Sequence, residues 1–262
     1  FGVVQTNTNP TLDKARADIA PNLSEHRDAI FLNPTLFARV KAIYDKRDSL
    51  KLDPESAQLL KIYYLKFTHA GANLSDADKA KLREINKEDA SLETAFQQKL
   101  VAATKAGALV VDDESQLAGL SDGEIAAAAK AAADRGLKGK FLIPLQNTTQ
   151  QPLLVSLSDR SVRERLFDNS WTRTEKSDAN DTRATIARIA QLRAEKAKLL
   201  GYPNYSAYAL YDQMAETPQA VESFLGQLIG PTAVKAAEEA KLIQAAIDKD
   251  GKHFDLKPWD GE

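Results

Sequence analysis

Ser75-Asp76-Ala77-Asp78 opens the stretch that decides the fold, and Leu82, Ile85, Leu92, Phe96, Leu100 and Ala103 carry it to about Ala106. Ser75 reads as a helix N-cap, with Asp78 in the place of the usual capping-box acid. The apolar residues then recur at the three-and-four spacing of one helix face. A helix of about 30 residues is about 45 Å long at 1.5 Å per residue. That is too long for a compact small domain, and it predicts an extended, layered helical architecture.

Working outward, the pattern stays helical with one interruption. Upstream, Asp53-Pro54-Glu55 starts a helix, since Asp is a good N-cap and Pro fits the first helical position. Leu59, Leu60, Ile62, Tyr63, Tyr64, Leu65 and Phe67 make that helix apolar nearly all round, which predicts a central place in the core. Gly71 stops it. Thr11 to Asp48 reads as helix broken at Pro21 and Pro34, with Leu36, Val40, Ile43 and Tyr44 as one buried stripe.

Downstream, Ser121-Asp122-Gly123-Glu124 is a capping box before an alanine-rich helix that ends near Gly136. The period then changes. Lys140 to Leu145 and Leu153-Leu154-Val155 read as short extended segments, and Leu109-Val110-Val111 as a third. Helices resume over Ser161 to Trp171, Asp178 to Leu200 and Tyr205 to Met214. Thr217-Pro218 and Gly230-Pro231 each place a proline at a helix start, and the last helix reaches about Asp250. The fold class expected is mainly α, an extended multi-helix architecture with a small β-hairpin or sheet near residues 109–157.

Composition narrows the function. The 262 residues carry 35 Lys plus Arg against 37 Asp plus Glu, a net charge of −2, which argues against a nucleic-acid partner. No run approaches the ~18 apolar residues of a membrane span. Without cysteine, disulfides, thiolate metal sites and a thiol nucleophile are excluded. Phe1 in place of Met, and an ending without a terminal helix, lead to the expectation of a piece of a longer protein.

Few residues suggest chemistry by themselves. No His-Glu-x-x-His occurs, and His26, His69 and His253 are far apart. Asp112-Asp113-Glu114 lacks the spacing of a calcium loop. Asp178, Asp181 and Arg183 sit where they would favour a helix start. Asn147, Thr148, Thr149, Gln150 and Gln151 put five amide and hydroxyl side chains between apolar segments, and an extended peptide could pair with such an edge. A plain turn is the competing reading, and local chemistry alone favours it.

Leu142-Ile143-Pro144-Leu145-Gln146-Asn147-Thr148-Thr149-Gln150-Gln151-Pro152 then acquires a second meaning. It is followed by Trp171-Thr172-Arg173, Asn180-Asp181-Thr182-Arg183, Leu192 to Tyr202 and Met214-Ala215-Glu216-Thr217-Pro218. Ile19-Ala20-Pro21 and Leu32 to Phe37 precede it. In this order and spacing the motifs, from about Thr11 to Asp260, resemble the thimet oligopeptidase family of zinc metallopeptidases. The Asn-Thr-Thr-Gln-Gln-Pro segment points to its bacterial peptidyl-dipeptidase branch.

The resemblance implies a helical protein of two lobes facing a deep channel, of which this chain is much of the N-terminal half. It implies release of dipeptides from the C-terminus of short unfolded peptides. Zinc would activate water with a Glu as base, both lying outside this chain. No catalytic or metal residue is assigned here, and Asn147 to Gln151 are the substrate-binding candidates. The expected partners are short peptides and the C-terminal catalytic half, with no nucleic acid and no membrane. Residues 1–157 are expected as a helical region with the β element, and 158–262 as a helical region forming one wall of the channel. A cytoplasmic or periplasmic bacterial setting fits. One departure is the ending Pro258-Trp259-Asp260-Gly261-Glu262, where the family continues with a second Trp. The competing readings are a sister oligopeptidase that cuts internally and a non-enzymatic helical module that binds peptides or a partner.

Overall fold

The computed structural model of the chain describes residues 9–146, 150–251 and 253–260. Among them are ten α-helices and one two-stranded sheet, so the chain is mainly α. It divides into two compact units, residues 1–98 with 184–218 and residues 99–183 with 219–262.

In the first unit, α1 (Pro10–Phe31) starts on the Asn9 cap and α2 (Pro34–Tyr44) on the Asn33 cap, with Pro34 in the first turn. Pro21, read as a break, lies inside α1. Proline forfeits one backbone hydrogen bond, and Asn22 Nδ2 donates to Asp18 O (3.2 Å) in the same turn. Ala20 and Asp28 are buried on either side of it. Burial holds the helix through a residue that local propensity would use to end it.

The helix α3 (Pro54–His69) starts at Asp53, whose carboxylate accepts the Ser56 N–H. It is not the central helix its composition suggested. Phe67 is buried, whereas Leu59, Ile62 and Tyr63 are exposed. Likewise the buried residue of α2 is Phe37, and Leu36 and Ile43 are exposed. Phe37, Phe67 and Ala72 form one cluster with Phe31, Val40 and Tyr64 against it. The seam is aromatic: Tyr44 and Tyr64 stack at 3.7 Å.

The long helix α4 runs over Asp76–Ala106, 31 residues, as its sequence predicts. Ser75 Oγ accepts from the Asp78 N–H (3.1 Å) and donates to the Asp78 carboxylate (2.8 Å). Gly71 has φ +102°, and a Cβ there would come within 2.8 Å of the Leu82 side chain. The chain therefore turns into α4 on a glycine. The unit is completed by α8 (Arg183–Leu199) and α9 (Tyr205–Ala209).

The second unit contains the sheet. β1 (Leu109–Val111) pairs antiparallel with β2 (Phe141–Ile143), Val110 opposite Leu142. It is not a hairpin, because a 3₁₀ turn (Glu114–Leu117) and α5 (Asp122–Asp134) lie between the strands. Ser121 and Glu124 close the capping box that opens α5. Leu153-Leu154-Val155, read as extended, belongs to α6 (Gln150–Ser156). A three-residue apolar run cannot reveal its period. The burial does: Leu153, Leu154 and Leu157 are inside while Val155 is 65% exposed, a helical spacing. They join Leu109, Ile143 and, from α7 (Arg160–Trp171), Val162 and Leu166 in one core.

The last helix, α10 (Pro218–Lys249), has 32 residues and none is buried. Gly230-Pro231, read as a second start, lies within it. Gly226, Gly230 and Pro231 oppose the helix, at about 1 kcal/mol for each interior glycine and about 3 kcal/mol for a proline relative to alanine. No helix among the described residues is long and apolar enough to cross a membrane.

Candidate functional site

Of the five substrate-binding candidates, Asn147, Thr148 and Thr149 lie outside the described residues. Gln150 and Gln151 begin α6. The flanks of the segment are firmly held. Leu145 is 5% exposed on the β2 side, and Leu153 and Leu154 anchor the helix side. The far end of α6 rests on Gly119, where a Cβ would stand 2.0 Å from Ser156 O. Ser158 N–H also donates to Ala118 O (2.8 Å). A short polar segment thus links two parts of one packed core.

The acidic residues singled out in the sequence are used locally. Asp113 caps the 3₁₀ turn, and Asp112 pairs with Lys140 at 2.7 Å. Asp178 accepts the Asn180 N–H. Asp181 accepts the Arg183 N–H (3.0 Å) at the start of α8, and the Arg183 guanidinium holds its carboxyl far below the usual range.

The ending Pro258-Trp259-Asp260 carries a second organised group. Asp260 accepts from Arg160 Nε (3.0 Å) and Nη2 (2.9 Å), from Arg163 Nη2 (2.9 Å) and from the Lys257 N–H (3.1 Å). Its side chain is 3% exposed. Burial pushes this carboxyl up, but the hydrogen bonds from Arg160 and Arg163 outweigh it, so the net shift is downward. Arg163 also donates to Trp259 O and Leu157 O. The Trp259 indole N–H is buried without a partner among the described residues. Asp260 is visible in the sequence as part of Pro258-Trp259-Asp260, whereas Arg160 and Arg163 carry no motif of their own. Their signal was the three-residue spacing that puts both on one face of α7.

In the first unit, His69 at the end of α3 lies between Tyr208 (4.0 Å, 9°) and Tyr211 (3.6 Å, 20°). Its Nδ1 shares a 3.0 Å hydrogen bond with Tyr202 OH. Burial lowers the imidazole to about 4, against the opposing charge of Asp212, and burial raises the Tyr208 phenol to about 12. Both rings are therefore neutral at pH 7. Nearby, Lys196 Nζ donates to Asn86 Oδ1 (2.8 Å), and Asn86 Nδ2 donates to Asp28 (2.9 Å). Burial drives the Lys196 ammonium down and the Asp28 and Asp89 carboxyls up. A cavity of about 650 Å³ opens between α1, α4 and α8, lined by Arg16, Leu23, Phe96 and Ile189 with the Glu93–Arg193 pair.

His26 and His253 are exposed, and the three histidines do not converge. Among the described residues no three His, Asp or Glu side chains stand together as metal ligands would. The donor groups among the described residues do not fit a catalytic metal. The His69 and Tyr208 rings are neutral at pH 7, and Asp28 is hydrogen-bonded by Asn86.

Residues 153–262 match the model of Peptidase family M3. Over 99% of its length the chain is 48% identical to dipeptidyl carboxypeptidase of Escherichia coli and 45% identical to that of Salmonella typhimurium. It is 29% identical, over 74% of its length, to oligopeptidase A of Haemophilus influenzae. The chain spans 38% of the length of either dipeptidyl carboxypeptidase and 29% of that oligopeptidase. The family match covers α7, α8 and the Asp260 latch, while the identities extend through the long helix and the sheet upstream, so the chain is similar to peptidase family M3 over residues 153–262 and to the two dipeptidyl carboxypeptidases over nearly its whole length.

Proposed function

We propose that this chain serves as part of a peptidase that releases dipeptides from the C-terminus of short, unfolded peptides, and that the reacting groups lie outside it. The observation that carries this reading is the 48% identity, over nearly the whole chain, to a protein named dipeptidyl carboxypeptidase. A metal, zinc on the resemblance, would be held by residues beyond this chain. Residues 158–262 would form one wall of a channel. Asn147 to Gln151 would hydrogen-bond the backbone of the peptide lying in it. Their amides and hydroxyls suit that task, since they carry donors and acceptors without charge.

The identity to oligopeptidase A favours internal cleavage as the second reading. Paired peptides separate the two. If the first reading holds, the polypeptide carrying this sequence together with a metal-binding half cleaves a peptide with a free C-terminus and spares its C-terminal amide. Equal cleavage of both would leave the internal cutter. The 262 residues alone are expected to hydrolyse neither.

A further inference from the structure

Residues 222–242 of α10 are all exposed, a run of six turns without a packed neighbour. One face of this run is apolar. Val221, Phe224, Leu225, Leu228, Ile229 and Thr232 recur at the spacing of a buried helix stripe. Phe224 is 62% exposed and Ile229 67%. Soluble proteins rarely leave such a face open. The glycines and the proline in its interior make the helix dependent on packing rather than on its own propensity.

Charge narrows the occupant. Between 222 and 242 the helix carries Glu222, Glu238 and Glu239 against Lys235 and Lys241. An anionic membrane surface calls for a polar face rich in Lys and Arg, and this one has a slight acidic excess. A strongly charged protein partner has nothing to complement. The occupant indicated is another apolar, uncharged helical face. Length indicates its source. The helix lies inside the family match, and the matched relatives have most of their length outside it.

We propose that the 221–232 face of α10 is the seat of the remaining part of a peptidase family M3 polypeptide, whose own apolar helical surface covers it. This rests on the proposed function for the identity of the partner. It goes further in naming the surface that joins the two parts.

Hydrogen exchange tests it. The probe is a chimera in which this chain replaces the matched 260 residues of the Escherichia coli dipeptidyl carboxypeptidase. Amides of 222–242 should exchange about 100-fold more slowly in the chimera than in the isolated chain, as packed helices do. The double variant Leu228→Asp, Ile229→Asp should abolish that protection in the chimera and leave the circular dichroism of the isolated chain unchanged. As a second measurement, the co-expressed remainder of the Escherichia coli protein should be retained by this chain and released by the same double variant. Equal exchange in chain and chimera would overturn the proposal. So would a protected face in the isolated chain accompanied by a dimer in sedimentation, which would give the face to a second copy. Dipeptide release is read separately. Protection without release would fail the proposed function and keep the docking face, and release without protection would do the reverse.

Discussion

Arg160 and Asp260, a hundred residues apart, meet in a fork, Nε and Nη2 donating to the two carboxylate oxygens at 3.0 and 2.9 Å. The fork latches residues 253–260 onto the start of α7, with Arg163 closing the other side. Asp260→Ala should release this segment, at roughly 2 kcal/mol for the lost charge-assisted bonds. Acid should do the same. The carboxyl titrates below its ordinary value of 3.8, so the latch is intact above about pH 4 and opens as pH falls through the lowered value. Trp259 sits beside Asp260 and packs near Phe167. Its emission should shift to the red on opening, and Arg160→Ala should move that transition to higher pH. A transition unmoved by Arg160→Ala would assign the segment to other contacts.

His69 withdraws stability in the same direction, over the adjacent and higher pH window. Its folded imidazole titrates near 4 against an ordinary 6.5, so below 6.5 the unfolded chain takes up a proton that the folded chain refuses. Stability should be full above about pH 6.5, decline between 6.5 and 4, and level off for this group below 4. The shift alone would be worth about 3 kcal/mol, and solvent screening of a half-buried ring reduces that to about 1–2 kcal/mol. His69→Phe keeps the stack between Tyr208 and Tyr211 and has no proton to gain. Urea midpoints of that variant should lose the 6.5-to-4 decline.

The helix starts were legible because caps are local chemistry. Asp53, Ser75 and Ser121 each accept the backbone bond their spacing promised. The misreadings were tertiary. Pro21 and Pro231 lie within helices, the first beside buried residues of its own helix and the second on a helix with none buried. Leu153 to Val155 took its period from a core it could not announce. At the candidate site, Asp260 was visible as a motif, but Arg160 and Arg163 acquire meaning only when a turn a hundred residues away reaches them. The aromatic box around His69 likewise joins α3 to residues 202–211, a separation no local pattern records.

Gly119 and Gly123 should respond oppositely to the same added methyl. At Gly119 φ is +97° and a Cβ would stand 2.0 Å from Ser156 O, a backbone atom that cannot rotate away. Gly119→Ala is expected to lower stability by about 3 kcal/mol or more through overpacking and backbone strain. Gly123 lies in the first turn of α5 with nothing within 4 Å. Gly123→Ala should raise stability by about 0.5 kcal/mol by restricting the unfolded chain. Thermal melts of both variants check the pair, and a mild Gly119→Ala would mean that α6 can move off its seat.

Lys196 reaches the buried Asp28 through Asn86, and its charge also acts on the half-buried Asp89. Lys196→Met retains the apolar stem and removes the charge, leaving Asp28 only the more weakly acting Arg83 and Arg27, and Asp89 only Arg193. Breaking a buried charge group in this way should cost about 3 kcal/mol. Acid should then recover part of that loss, because protonated Asp28 and Asp89 need no counter-charge. The triple variant Lys196→Met, Asp28→Asn, Asp89→Asn should recover stability at neutral pH for the same reason. Urea denaturation at pH 5 and pH 7 decides it. A loss caused by Lys196→Met, measured against the unsubstituted chain at the same pH, that is no smaller at pH 5 than at pH 7 would show that the stem, and not the charge, is what the cluster uses.

Gly226 and Gly230 offer a way to strengthen α10 without touching its apolar face. Each lies two residues from Leu228, on the side of the helix turned away from it, and neither has an atom within 4 Å of where a Cβ would stand. Gly226→Ala and Gly230→Ala should each favour the helix by about 1 kcal/mol. In the isolated chain the gain should appear as more far-ultraviolet helical signal and slower amide exchange over 222–242. Pro231→Ala should add to it by restoring the N–H that can donate to the Gln227 carbonyl. Unchanged helical signal in all three variants would show that the packed ends of α10, where Gln244 holds Phe254 O and the Leu256 N–H, already fix its whole length.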